Sequence, residues 1–316
     1  MTDTQSAHEP GVSFPEGAAT RFIKAHGTEN DFVFLVDPSV AVDLTDERVR
    51  RIADRRAGIG GDGVIRVATA ASLIDARVVD ESILAPAPDD PSSAIQGEEW
   101  FMDYRNADGS IAEMCGNGVR AFAHVLVAEH LVGGDKPEFP LQVGVGTRAG
   151  RKLVTIHSAD EVHAYVSVNM GQPEVTGMST ATVGGFKLAG LGVDMGNPHL
   201  AAVIPNLTAT DLATLPVGQP VEWDNAFFPN GVNVEILTPL ENGAIHMRVH
   251  ERGVGETRSC GTGTVAAAVA ALADAEQEFG TVTVNIPGGQ VMVDITEDAA
   301  ILTGPAEIVA RGEMVV

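Results

Sequence analysis

The chain has 316 residues, 44% of them hydrophobic, and a formal net charge of −23 at pH 7. That size suits one large domain or two ordinary ones, and the acidic balance argues against nucleic acid or an anionic membrane as a partner. Two cysteines are too few for a secreted disulfide scaffold, the N-terminus lacks an apolar leader core, and no apolar run is long enough to cross a bilayer, so we expect a soluble cytoplasmic protein.

In chain order, "HGTENDFVFLVD" around Asn30 opens the first half. "GIGGDG", Gly58 to Gly63, reads as a tight turn, because a lone glycine cluster is a weak sign of a dinucleotide loop. From about Val78 to Trp100 the chain is acidic and proline-bearing without lysine or arginine, the composition of a solvated surface insertion. "FMDYRNADGSIAEMCGNG" then alternates apolar and polar residues and reaches Cys115. The helix predicted after it carries Arg120 and His124, so it should be the less enclosed of two. β-rich runs follow and close on a turn at Gly171.

The second half repeats this plan. "MGNPHLAAVIP" around Asn197 corresponds in order to the stretch around Asn30, and "HMRVHERGVGETRSCGTG" lies over the Cys115 segment without a gap, Met102 on Met247 and Asn106 on Glu251. The helix after Cys260, "TVAAAVAALADA", is uncharged before Asp274 and belongs inside a cup of strands. The last β-rich runs are expected to end on a turn at Gly304. Two halves of about 150 residues, each strand-rich around one helix, fit a pseudo-symmetric pair of α+β domains.

The only two cysteines therefore occupy matching C-G-x-G turns at the starts of two helices. The first N–H groups of a helix lack intrahelical partners and the dipole is positive there, which should lower a thiol's pKa toward neutrality. The glycines give a carboxylate access to the same N–H groups. Two such thiols on opposite faces of one carbon can invert it, one removing a proton as thiolate and the other returning one as thiol. Zinc-binding spacing, a P-loop and G-x-S-x-G are all missing. The four lysines, Lys24, Lys136, Lys152 and Lys187, lie in no motif that would hold pyridoxal phosphate, so cofactor-free proton transfer is expected.

Taken together, "KAHGTENDF", "DRRAGIGGDG", "DYRNADGSIAEMCGNGVR", "MGNPH", "GVNVE", "ERGVGETRSCGTGT" and "LTGPA" resemble diaminopimelate epimerase, in order from Lys24 to Ala306, with an actinobacterial flavour in the insertion and "FMDYRNADGS". The resemblance implies an isomerase that converts LL- to meso-diaminopimelate for lysine and peptidoglycan. It also implies an α+β fold of two pseudo-symmetric domains, each a strand-rich cup or barrel around a central helix, with the active site in the cleft. Residues 1–168 plus 303–316 would form one domain and 169–302 the other, and a homodimer is expected. Cys115 and Cys260 would be the proton-transfer pair, with His199 and Glu251 as orienting or activating partners. The N–H groups of Gly116, Asn117, Gly261 and Thr262 would hold the α-carboxylate, and Asn30, Asn106, Asn197, Asn233, Glu251 and Arg252 would read the rest of the substrate. No metal or cofactor is implied.

Two departures from the family pattern are Gly63, where some members carry glutamine, and Ile111, where an acid is often found. The rival readings are another two-thiol racemase, such as proline racemase, and a non-catalytic amino-acid-binding protein. Asn117 stands where proline racemases carry histidine in C-G-H-G, and a mere binding protein would not need both thiols.

Overall fold

The computed structural model describes residues 19–88 and 90–315. The N-terminal residues read above as leaderless, Asp89 of the acidic insertion and Val316 lie outside the described residues. The first half contributes strands β1 (Thr20–Gly27), β2 (Asn30–Val36), β3 (Gly63–Thr69), β4 (Trp100–Asn106), β5 (Leu141–Thr147), β6 (Gly150–Ala159) and β7 (His163–Asn169), with helices α1 (Asp46–Ala53), α2 (Ala70–Asp75) and α3 (Gly116–Ala128). The second contributes β8 (Glu174–Val183), β9 (Phe186–Asp194), β10 (Pro198–Val203), α4 (Ala209–Thr214), β11 (Val221–Trp223), β12 (Asn233–Leu237), β13 (Ala244–Glu251), β14 (Gly255–Thr257), α5 (Gly261–Asp274), β15 (Gly280–Ile286) and β16 (Gly289–Ile295). A long last strand, β17 (Ala300–Met314), belongs to both.

Hydrogen-bonded neighbours run β1, β2, β3, β4, β5, β6, β7, β17 and back to β1, closing an eight-stranded barrel. α3 threads it, and every residue from Gly116 to Val127 is buried. The expectation that Arg120 and His124 would leave this helix less enclosed is corrected. Both are fully buried and only partly partnered, by groups distant in sequence: the Arg120 guanidinium donates to Thr28 Oγ1 at 3.1 Å and to the Pro305 carbonyl at 3.4 Å, and His124 Nε2 lies 2.9 Å from the Asp160 carbonyl, while Arg120 Nη1 and His124 Nδ1 have no partner among the described residues.

In the second half the neighbour order is β11, β8, β9, β10, β12, β13, β15, β16, β17. These strands curl around α5, which packs on β9, β10, β12, β13, β15 and β16. One continuous core joins Val119, Phe122 and Leu126 of α3 to Val265 and Leu272 of α5, each side chain contributing about 1.5–3 kcal/mol by its burial.

The strands that lead to the two cysteine turns match in register. Parallel β2 and β3 pair Phe32 with Gly63, and β3 and β4 pair Ile65 with Tyr104. Parallel β10 and β12 pair His199 with Asn233, and β12 and β13 pair Glu235 with Val249. Phe32 is thus the counterpart of His199, Gly63 of Asn233, Ile65 of Glu235 and Tyr104 of Val249.

β17 pairs with β16 through Ala300–Thr303, with β7 through Ile301–Glu307, and with β1 through Glu307–Met314. Gly304, expected to end a turn, instead lies inside this strand opposite Val166, while Gly171 lies in the short connection between β7 and β8 with φ 86°. The acidic insertion is also less solvated than its composition suggests. Val78, Val79, Ile83 and Leu84 pack beside Ile95 on a cluster containing Leu73 and Phe101, forming a lid on the barrel wall. Among the described residues no helix is long and apolar enough to cross a membrane.

Candidate active site

Cys115 and Cys260 occupy the N-cap positions of α3 and α5 with nearly the same extended backbone, φ/ψ of −142°/121° and −131°/117°. A strand-like cap residue is what lets the following N–H groups open toward a ligand rather than into a preceding turn. The two helix starts meet: a Cβ built on Gly261 would sit 3.1 Å from Gly116 Cα and 3.4 Å from the Asn117 amide nitrogen. Glycine at both positions permits that approach.

On the first side, the Cys115 thiol donates to Asn30 Oδ1 at 3.3 Å. Asn117 Nδ2 reaches the same oxygen at 3.3 Å and Ser259 Oγ, from the second half, at 2.9 Å. Ser259 Oγ lies 2.7 Å from Thr28 Oγ1, which also accepts from Arg120. Asn30 donates to Asp62 Oδ2 at 2.7 Å, and Asp62 and Asp31 share Arg55. Burial pushes the Asp31 carboxyl up, but hydrogen bonds from Arg55 and Lys24 outweigh it and hold its pKa at about 2.

On the second side, Asn197 Nδ2 lies 3.4 Å from Thr262 Oγ1, which is 3.6 Å from Cys260 Sγ. Asn233 donates to the Pro198 carbonyl at 3.1 Å and accepts from the Arg252 backbone N–H at 2.9 Å. The Arg252 guanidinium donates to the Asn230 carbonyl at 3.1 Å, and Glu251 accepts from the Thr257 hydroxyl. His199 is fully buried with Nδ1 2.7 Å from Glu235 Oε1.

The fold thus gathers Asn30, Cys115, Gly116 and Asn117 against Gly261, Thr262, Cys260 and Asn197, with His199, Asn233, Glu251 and Arg252 on the second side. Asn106 is the exception, since its amide bonds Ser110 at 3.0 Å within its own turn. The sequence reading missed Glu235, Ser259, Thr28 and Tyr104. Glu235 stands two residues after Asn233, on the same strand face. One departure has a steric cause: a Cβ on Gly63 would collide with the Arg105 backbone carbonyl and the Tyr104 ring, so no side chain fits there. The Tyr104 phenol, buried and close enough to feel charge on Cys115, Asp62 and Glu251, is pushed well above its ordinary pKa. Ile111 is largely exposed.

The expected fall of the thiol pKa values is corrected. Burial pushes Cys115 up to about 11, despite backbone N–H donors from Gly118 and Asn117. Burial, followed by the carboxylates of Glu251 and Glu235, pushes Cys260 well above its ordinary value, despite the Gly263 N–H and the Thr262 hydroxyl. Desolvation of the sulfur outweighs the helix end. Burial likewise raises the Glu251 carboxyl.

The diaminopimelate epimerase family profile matches residues 22–176 and 191–309. The chain is 58% identical to the diaminopimelate epimerase of Corynebacterium aurimucosum over 293 residues, covering 93% of this chain and 99% of that one. It is 54% identical to that of Mycobacterium ulcerans, covering 93% and 96%. Solved structures of similar fold include a phenazine biosynthesis protein of the PhzF family from Bacillus anthracis, with TM-score 0.64, 14% identity and coverage of 94% and 99%. A hydroxyproline epimerase from Agrobacterium vitis aligns with TM-score 0.59, 14% identity and coverage of 94% and 91%.

Proposed function

The chain belongs to the diaminopimelate epimerase family, which makes it an isomerase, and we propose that Cys115 and Cys260 are the two acid–base groups with which it interconverts LL- and meso-2,6-diaminopimelate. The observation that carries this reading is the meeting of two thiol-capped helix starts, Gly116 against Gly261, at matched positions of the two halves. The N–H groups of Gly116, Asn117, Gly261 and Thr262 would hold the α-carboxylate, where negative charge grows as the α-proton leaves. One cysteine, as thiolate, takes that proton: the C–H bond breaks and an S–H bond forms. The other thiol then gives its proton to the opposite face and is left as thiolate. Each turnover therefore exchanges the protonation states of the two sulfurs, so either isomer can be the starting one.

Burial raises both thiols, so forming a thiolate calls for charge compensation near the sulfur. A bound amino acid brings an ammonium group next to Glu251 and the thiols, which offsets the carboxylate charge that disfavours a thiolate. Asn30, Asn197 and Asn233 supply amides that both donate and accept, and Arg252 a fork suited to the distal carboxylate. We take His199 and Glu251 as the groups that orient or activate the thiols, and Asn106 as a further substrate contact once its turn gives up Ser110. We also infer two working halves, residues 1–168 with 303–316 and residues 169–302, in a cytoplasmic homodimer that supplies precursor for lysine and peptidoglycan.

The test is α-proton exchange and stereochemical analysis of LL-diaminopimelate in D₂O, with proline and glutamate as controls. Wild type should exchange and epimerise diaminopimelate alone, and Cys115→Ala and Cys260→Ala should each fail to epimerise. Full exchange in both variants would overturn the two-thiol mechanism.

A further inference from the structure

The two halves agree in backbone register but differ in what backs each thiol. Behind the first, a Cβ on Gly118 would make ordinary contact with Phe32 Cζ at 3.4 Å and Ile65 Cδ1 at 3.5 Å. Behind the second, a Cβ on the equivalent Gly263 would lie 3.3 Å from Cys260 Sγ and would overlap Glu235 Oε1. An apolar pair in one half is thus a carboxyl–imidazole pair in the other, with Ile65 answering to Glu235 and Phe32 to His199.

Both members of that pair are fully buried, and each has an atom without a hydrogen-bond partner, His199 Nε2 and Glu235 Oε2. The 2.7 Å separation of His199 Nδ1 and Glu235 Oε1 needs a proton between them. The remaining question is how many protons the pair holds. A lone net charge with no solvent contact is strongly disfavoured, and the ionisable neighbours that feel this pair, Glu251 of β13 and Cys260 of α5, are both acids. Either neutral arrangement, carboxylic acid with neutral imidazole or carboxylate with imidazolium, puts a hydrogen on Nε2. Burial also pushes the Glu235 carboxyl up, although His199 pulls it down.

We propose that Glu235 is a positioning residue for the proton transfer: it shares one proton with His199 Nδ1 and thereby keeps an N–H on Nε2 behind the Cys260 turn. This rests on the epimerase reading and deepens it. A partnerless buried donor is costly in the resting site and is satisfied once charge develops on Cys260 or Glu251. Cys115, backed by Phe32 and Ile65, has no such donor: its thiol donates to Asn30 Oδ1, and only the helix N–H groups of Asn117 and Gly118 point at the sulfur. The two thiols are therefore chemically unequal although their backbones are equivalent.

The test begins with the ligand-free wild-type enzyme labelled with ¹⁵N-histidine, its His199 signals assigned by their loss in His199→Gln. Long-range ¹H–¹⁵N correlation at neutral pH should show a protonated Nε2, and a bare Nε2 would overturn the proposal whether or not the chain turns over diaminopimelate. Kinetics supply the second reading: Glu235→Gln, of the same shape, should lower kcat about 10-fold with KM within about twofold, and Glu235→Ile, which installs the first half's residue, about 100-fold. Wild-type kcat in Glu235→Ile would also overturn it. Inactivity of the wild type itself toward LL-diaminopimelate would instead sink the epimerase reading, while the nitrogen signals would still decide the state of the pair.

Discussion

Gly116 and Gly261 touch across the centre of the molecule, close enough that a methyl group on Gly261 would press on the Cα of its counterpart at 3.1 Å. Because each glycine is the first residue of a thiol-capped helix, their contact fixes the spacing of the two sulfur-bearing turns. Gly261→Ala should push the turns apart, costing about 1–3 kcal/mol of stability and more than 10-fold, roughly, in kcat/KM, since small displacements at a reacting centre are expensive. Thermal unfolding and steady-state epimerisation measure the two effects, and wild-type values in both would refute this account of the contact.

A second glycine comparison separates the halves. Gly118→Ala meets only ordinary contacts, whereas Gly263→Ala drives a methyl into the Glu235 carboxyl. The first should fold and turn over nearly as wild type, within about 0.5 kcal/mol. The second should lose about 1–3 kcal/mol as the buried His199–Glu235 bond is displaced. Equal behaviour of the two variants in a thermal melt would contradict the asymmetry.

Thiol alkylation reads the sulfur environment directly, since the thiolate is the nucleophile. With Cys115 pushed up to about 11 by burial, the Cys260→Ser variant without ligand should react slowly with iodoacetamide at neutral pH and accelerate through the alkaline range. The sign follows from the direction of the shift: a raised pKa keeps the folded thiol protonated above its unfolded value of 9.0. Stability held by that proton is present below 9.0 and is lost as pH climbs toward about 11. A rate plateau already reached near neutrality would mean that the helix end wins over desolvation after all.

Thr28 and Ser259 join the halves through a buried hydroxyl pair that also serves Arg120 and Asn117. Thr28→Val keeps the shape but strips Arg120 and Ser259 of a partner, at a cost of about 1–3 kcal/mol. Adding Ser259→Ala should cost less than the sum of the single changes, because both disrupt one network. Additive losses in urea unfolding would show that the two hydroxyls act independently.

Arg252 is tied to Asn233 through its backbone and to the Asn230 carbonyl through its side chain, leaving the guanidinium exposed at the cleft rim. Arg252→Met should raise KM for diaminopimelate about 10-fold or more, the equivalent of roughly 1.5–3 kcal/mol for a hydrogen bond to a charged group. kcat should fall less than KM rises. A change confined to kcat would remove Arg252 from substrate recognition.

What could be read from the chain was whatever the local pattern encodes. Cys115 and Cys260 stood out because a rare residue recurs in one turn, and the matched flanks revealed the two halves. Glu235 escaped notice because "GVNVEIL" alternates like a strand with one wet face. That face instead lies under α5, a fact set by a helix more than 20 residues further on. Arg120 and His124 suggest a less enclosed helix because nothing local announces that eight strands will close around α3. The thiol pKa values went the other way from expectation for a similar reason. The helix end is a local feature, but the burial that outweighs it at both thiols, and the Glu251 and Glu235 carboxylates that add to it at Cys260, come from separate strands. Gly304–Pro305 looked like a turn, and only pairing with β7 shows the chain running straight through it.

The sharing of β17 between the halves also has a mechanical side. The chain passes between them twice, at Met170–Gly171 and near the start of β17, and the two passages are laced together: Met170 N–H donates to the Ala300 carbonyl at 2.9 Å, and Ala300 N–H to Gly171 at 2.8 Å. Two strands held side by side twist and bend readily but resist being pulled apart or slid. Across the cleft from this ribbon, Thr28–Ser259, Asn117–Ser259 and Glu29–Arg258 tie the halves a second time, so the sulfur-bearing turns are held from both ends.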